Sequence, residues 1–316
     1  MSRKTDAPAP GAITVGLPRA LLFHRYEYLW QSFFYSLGAK VLVSPPTNKE
    51  ILRIGTEAAI DEACLSTKIY MGHVRELIGK CDYILVPRIS TFGLNREMCM
   101  KFAALYDLVC ATFRGTGQKF LAYNIDIKKK LTEEKAFLEM GTELGYQRKL
   151  VQDAYKRADK YEQEEWKKKV KAQELLYKEP GLKIMVAAHS YIIQDEYVGK
   201  PVTDYLKELG CIPLRGDVVK RKDAIKQSPR VSRTLKWELS REIVGNLYMH
   251  RDKIDGIVLL SAFPCGPDSM VNETIIRQFK GIPILNLVLD SQSGTAGMET
   301  RLESFADILK FKKGTL

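Results

Sequence analysis

Short apolar, β-branched runs alternate with longer amphipathic stretches along most of the chain, the pattern that builds a parallel sheet with helices on both faces. In the first half, strands are expected at Ile13 to Val15, Lys40 to Val43, Tyr83 to Val86 and near Phe120 to Tyr123. A helix from about Leu22 to Leu37 separates the first two, and helical segments resume from about Asn48. The second half repeats the scheme, with strands expected at Lys183 to Ala188, Ile212 to Leu214, Gly256 to Leu260 and Ile284 to Val288. A last helix is expected over Met298 to Lys310, because Leu302, Phe305, Ala306 and Leu309 recur at the spacing of one helical face.

Glu133 to Lys178 carries no strand signal, and from Gln147 onward it is rich in Lys, Glu, Gln and Ala. It reads as helices that connect or brace two lobes, until Pro180-Gly181 stops the helix. The expected organisation is therefore α/β with parallel sheets. An N-terminal lobe occupies residues 1–145, a charged helical connection residues 146–180, and a C-terminal lobe residues 181–316.

A length of 316 residues suits two domains that each bury a core. No apolar run approaches the roughly 20 residues that cross a bilayer, so no membrane role is expected. Met1 to Gly11 lacks the apolar centre of a secretory signal, which points to the cytoplasm, where thiols stay reduced. The net charge is +11, and much of the excess lies between Gln147 and Lys178. Its Lys167-Lys168-Lys169 run has no interleaved aromatics or glycines, so it reads as a solvated helix face and nucleic acid is not an expected partner.

Six cysteines without any Cys-x-x-Cys pair are free thiols, catalytic groups or metal ligands in such a compartment. Ligands of open parallel sheets sit beyond the carboxyl ends of the strands, and Cys64, Cys99 and Cys265 fall at such places. Around Cys265, Phe263-Pro264-Cys265-Gly266-Pro267-Asp268 follows an apolar strand, and its prolines and glycine fix a backbone that can approach a bulky ligand. Soft thiolates hold iron-sulfur clusters, and three of them leave one iron of a 4Fe-4S cube open. From the residues alone, a plain reading stays open in which each cysteine is a small buried hydrophobe. Cys81, Cys110 and Cys211 fit that plain reading better, although six thiolates would also suffice for a double-cubane cluster.

Weaker signals surround this set. Arg19 and Arg88 each follow a proline beyond an expected strand and are candidates to neutralise an anionic ligand. His189 is the one histidine at the carboxyl end of an expected strand, and Ser293 to Gly297 precedes the last helix at a place suited to an anion. Neither a G-x-G-x-x-G fingerprint nor a G-x-x-x-x-G-K-[ST] loop is present, so nothing supports nicotinamide or ATP chemistry on this chain.

The segments Val15 to Leu21, Ser44 to Asn48, Asp61-Glu62-Ala63-Cys64, Cys99-Met100-Lys101-Phe102 and Phe263 to Asp268 resemble the acyl-CoA dehydratase activase-related family. That family is similar to the component subunits of 2-hydroxyacyl-CoA dehydratases and benzoyl-CoA reductases and to double-cubane cluster proteins. Thr300 to Phe305 is similar to a C-terminal pattern of the same group. The resemblance implies two flavodoxin-like lobes with an oxygen-sensitive cluster in the cleft, held by Cys64, Cys99 and Cys265. It implies further that a separate ATP-hydrolysing activator supplies low-potential electrons in trans, that a paralogous subunit or second copy is a partner, and that acyl-CoA is a candidate ligand. Met100 stands where the resemblance leads one to expect proline. The competing expectation is a two-lobed scaffold that binds acyl-CoA or a partner without a complete cluster. A Cys265 nucleophile is a third reading, with no histidine visibly placed to activate it.

Overall fold

The computed structural model describes residues 12–292 and 295–314. The first lobe runs β1 (Thr14–Leu17), α1 (Phe23–Ser36), β2 (Lys40–Val43), α2 (Lys49–Ala58), α3 (Leu65–Leu77), β3 (Tyr83–Thr91), α4 (Met100–Thr112), β4 (Lys119–Asp126) and α5 (Glu133–Glu143). A long helix, α6 (Arg148–Leu176), leads to β5 (Leu182–Ala187), α7 (Ser190–Ile193), α8 (Lys200–Glu208), β6 (Cys211–Arg215), α9 (Arg221–Gln227) and α10 (Glu238–His250). The chain continues through β7 (Gly256–Ala262), α11 (Gly266–Gln278), β8 (Ile284–Leu289) and α12 (Thr295–Lys313).

Among the described residues these strands form two sheets of four, ordered β2-β1-β3-β4 and β6-β5-β7-β8, with every pairing parallel. The fold is thus two flavodoxin-like α/β lobes. Period-two alternation sorts the second sheet's side chains: Ile184, Val186, Val258 and Leu260 join the large core that includes the first lobe, while Met185, Ala187, Ile257 and Leu259 form a separate core on the other face.

The expected strand β3 is longer than its apolar run suggested, continuing through Pro87 to Thr91. Proline is tolerated there because β1 pairs only with Tyr83 and Ile84, so beyond them one side of β3 has no ladder to complete. Arg88 therefore lies inside the strand, paired with Asn124 and bonded to Asp107, and not beyond it as the sequence suggested.

Two helix pairs pack closer than a methyl group allows. A Cβ on Gly55 of α2 would lie 1.9 Å from the Lys68 carbonyl oxygen, and one on Gly72 of α3 would lie 2.1 Å from that of Ile51. In the second lobe, a Cβ on Gly245 of α10 would lie 1.9 Å from the Ala224 oxygen of α9. These contacts fix α3 and α10, whose starts matter below.

The 29-residue α6 buries Val151, Ala154 and Ala158 on the first lobe's side. Further along, the Trp166 indole N–H donates to the Val219 carbonyl at 3.0 Å, and the Gln173 amide donates to the Arg215 and Val218 carbonyls at 2.8 and 2.7 Å. One helix is thereby fastened to both lobes.

Candidate functional site

Three helices start at cysteines. Cys64 is the N-cap of α3, Cys99 of α4 and Cys265 of α11; each helix is 13 residues long, and each cysteine has extended backbone dihedrals. Serine or aspartate would normally accept a first-turn N–H from this position, but none of the three side chains makes such an oxygen-type cap. The first-turn amides of Phe102 and Lys101 partly offset the effect of burial on the Cys99 thiol, and that of Asp268 on Cys265. Cys64 Sγ lies 3.2 Å from Thr67 Oγ1.

The lobes bring these starts together by backbone bonds. Leu65 N–H, at the first residue of α3, donates to the Phe263 carbonyl in the loop before Cys265 at 2.9 Å. In the opposite sense, the loop before Cys99 meets the start of α10: Glu97 N–H donates to the Lys236 carbonyl and Glu238 N–H to the Glu97 carbonyl, both at 2.9 Å. Thus α3 of the first lobe touches the loop after β7, and α10 of the second touches the loop after β3. The position that Cys64 holds on α3 is held on α10 by Trp237.

Cys99, Cys265, His189, Tyr191 and Trp237 line a small cavity of about 30 Å³ between the lobes. Burial raises the pKa of the Cys99 thiol, and Cys64 and Asp268 raise it further. Cys265 is pushed well up by burial and then by the Asp268 carboxylate and Cys64. Partly buried Tyr191 is also raised, chiefly by desolvation and then by Asp268 and all three thiols, so these groups share one electrostatic neighbourhood. Among the described residues, no set of three or more His, Cys, Asp or Glu side chains is arranged to hold a single metal ion.

His189 follows β5 and its Nε2 lies 2.8 Å from Asp268 Oδ1, with its ring stacked on Tyr191 at 5.1 Å. Burial opposes charge on this imidazole, but Asp268 outweighs it and the pKa lies above the usual value. Asp268 is pushed up by burial yet held lower overall by His189 and by the Cys265 thiol. Sequence reading singled out His189 but missed Asp268, Tyr191 and Trp237. The available signal for Asp268 was its place in the first turn after Cys265, where a carboxylate suits a helix N-terminus.

The other cysteines lie elsewhere. Cys211 begins β6 and Cys81 sits in the turn before β3, at the amino ends of strands, which is the opposite edge of each sheet from the site. Cys110 lies in the last turns of α4. Of the arginines, Arg19 pairs across the lobes with Glu196 at 3.2 Å. Ser293 and Gly294, in the segment before the last helix, fall outside the described residues.

Other polar bonds hold the lobes. Arg25 of α1 makes a two-pronged pair with Glu242 of α10 at 2.7 and 2.8 Å, almost wholly buried, and Arg96 bonds Glu238. Thr47 donates to Asp195 Oδ2 at 2.5 Å, so its oxygen must accept from His73 Nε2 at 2.9 Å; His73 Nδ1 then accepts from Ser44 at 2.8 Å. This fixes the tautomer and keeps His73 neutral: burial first, then His24 and Arg19, lower its pKa to about 3.

No curated protein matches the chain in sequence. Among solved structures, the SBP FpvC of P. aeruginosa, in complex with a Ni2+ ion, aligns over 95% of this chain and 96% of its own at 11% identity, with a TM-score of 0.29. ZnuA aligns over 94% and 98% at 9% identity, with a TM-score of 0.27. Scores this low carry no argument. The model of the CoA enzyme activase uncharacterised domain (DUF2229) matches residues 14–219, which spans the first lobe with Cys64 and Cys99 and continues through β6 but ends before Cys265, and the chain belongs to that family.

Proposed function

We propose that this protein is an iron-sulfur redox component similar to the subunits of 2-hydroxyacyl-CoA dehydratases and benzoyl-CoA reductases, using Cys64, Cys99 and Cys265 to hold a 4Fe-4S-type cluster. The observation that carries the reading is that three cysteines from three distant segments each begin a helix, without an oxygen cap, in one electrostatic neighbourhood. Helix starts favour negative charge, and first-turn amides that lower the thiol pKa suit thiolates carrying cluster charge. The donor set also suits the size of the group. Ligands of one ion sit about 4 Å apart, whereas a cube of iron and sulfide spreads its thiolates to about 6–7 Å, so a site for a cluster need not satisfy the geometry of a single ion.

A bound cluster would supply one-electron chemistry at low potential with one iron open. The chain's own residues do the rest. Trp237 and Tyr191 wall the cavity of Cys99 and Cys265, whose thiols are partly buried, and the His189–Asp268 pair holds a proton next to Cys265. Around the three loops, Ile60, Leu94, Met100, Phe263 and Met270 are exposed by 57, 84, 78, 55 and 64%. An apolar rim of this kind suits a docking partner, and the reading assigns it to an ATP-hydrolysing activator that delivers electrons in trans.

The second reading is a scaffold that binds acyl-CoA or a partner, in which the partly buried cysteines serve as small packing groups. Iron and acid-labile sulfide analysis of anaerobically purified protein separates the two. About four iron and four sulfide per chain is expected; protein that takes up neither under reconstitution sinks the cluster.

A further inference from the structure

A second cleft opens between the lobes, apart from the thiols, with a volume of about 310 Å³. Its floor is Phe23, His24, Ile193 and Pro213, and its walls carry Arg19, Lys200, Lys207 and Arg215 against the carboxylates Glu27 and Glu196. The first lobe contributes Arg19 and His24; the second contributes the lysines, Arg215 and Thr203.

Much of the donor capacity of these cations is not consumed. Lys200 and Lys207 share one carboxylate, Asp204. Arg19 touches Glu196 through Nη2 alone, at 3.2 Å. Arg215 gives Nε and Nη2 to Asp217 at 3.0 and 2.6 Å, which leaves Nη1 outside that pair. Thr203 of the nine-residue α8 adds a hydroxyl to the cleft, whereas the helix start itself is already used, since Lys200 N–H donates to the Asp195 carbonyl and residue 201 is a proline.

An independent sign of a missing partner is His24. It is only 8% exposed, yet its Nε2 has no hydrogen-bond partner, an arrangement that costs free energy unless something fills the gap. Its pKa is lowered to about 3, first by burial and then by Arg19 and Arg215, whose effect exceeds the opposing one of Asp217. The field on the cleft floor is therefore positive.

We infer that this cleft is a binding site for a small phosphate monoester, with the phosphate held between Arg19, Arg215 and the lysines, and His24 at its base. A tetrahedral dianion accepts from several donors at once, which two guanidiniums and two ammoniums provide and a monocarboxylate would leave underused. The volume accommodates a phosphate with a small sugar-sized body. Because donors come from both lobes, the ligand would also tie them together. The site stands whether or not the thiols hold a cluster.

Calorimetric titration of the full chain at low ionic strength, with inorganic phosphate and with ribose 5-phosphate, tests this, alongside NMR of the His24 ring. Binding of both probes is expected, with a shift of the His24 resonances and a rise in its pKa. Tighter binding of the ester identifies a phosphorylated metabolite as the ligand, and equal binding identifies free phosphate as sufficient. Lys207→Gln, at a side chain 61% exposed and so harmless to folding, should weaken both about 3- to 10-fold, and Arg19→Gln about 10-fold. Absence of binding by either probe at 20 mM, or binding unchanged in both variants, overturns the inference.

Discussion

The two lobes follow the same strand order and place the same helix starts at their shared boundary, but they furnish those starts differently. In the first, α3 and α4 begin at Cys64 and Cys99; in the second, α10 and α11 begin at Trp237 and Cys265. Gly72 follows Cys64 at the same offset as Gly245 follows Trp237, and both glycines admit a neighbouring helix backbone. The scaffold is thus duplicated while the chemistry is not. One lobe brings two thiols, and the other brings one thiol with a wall of Trp237, Tyr191 and His189. What differs between the lobes marks the site more sharply than what they share.

The largest expected effect breaks the comparison at the second lobe's single thiol. Cys265→Ala should lose at least three-quarters of bound iron, and Cys64→Ala or Cys99→Ala should do the same, whereas Cys81→Ala and Cys211→Ala should retain it. Equal iron in all five variants would show that the helix-start cysteines are not distinguished from those at the strands' amino ends.

Next comes the joint between the lobes. Arg25→Met strands the buried Glu242 carboxylate and should cost about 3–5 kcal/mol in urea unfolding, while Arg25→Met with Glu242→Leu should recover most of it. A single-variant loss below about 1 kcal/mol would mean that the pair contributes little to holding the lobes.

The shared framework should respond alike in both halves. Gly72→Ala and Gly245→Ala each push a methyl group against a carbonyl oxygen of the neighbouring helix, and about 2–4 kcal/mol of destabilisation is expected from each. A large loss in one with none in the other would end the structural parallel between α3 and α10.

The smallest effect separates the lobes by pH. His24 and His73 of the first lobe have folded pKa values lowered to about 3, so the unfolded chain binds protons there that the folded chain does not. Their contribution is full above pH 6.5 and is lost as the pH falls toward 3. His189 of the second lobe is shifted upward, so its contribution is present below pH 6.5 and is lost as the pH rises. Between pH 5 and 6 the first-lobe histidines dominate, with a slope of about 1.4 kcal/mol per pH unit for each. His73→Gln should remove one such increment from the pH dependence of urea unfolding, and an unchanged slope would place the proton uptake elsewhere.

Much of this was legible from periodicity. The run Lys40 to Val43 is β2 as expected, and Asn48, read as a helix start, caps α2 by accepting from the Glu50 and Ile51 amides. The strand beginning at Tyr83 is expected only as far as its apolar run to Val86, and its continuation through Pro87 depends on the missing neighbour beyond Ile84, which local sequence does not record. The cysteines could be picked out by the turns around them, but Trp237 and Tyr191 could not. Each looks like an ordinary aromatic in the chain, and its role depends on which surface the opposite lobe presents. The duplicated glycines were invisible for the same reason, since a close helix contact is a property of two segments and local sequence records only one.

The separation of Cys99 from Cys265 by about half the chain also has a consequence for biosynthesis. Synthesis at about 5–20 residues per second delivers the first lobe, with Cys64 and Cys99, on the order of ten seconds or more before β7 and the start of α11 leave the ribosome. During that interval the nascent chain presents two thiols without the Phe263 carbonyl that fastens Leu65, or the Lys236 and Glu238 backbone groups that fasten Glu97. A ligand that required all three sulfurs could therefore be seated only after translation had passed the start of α11, when both lobes are largely made.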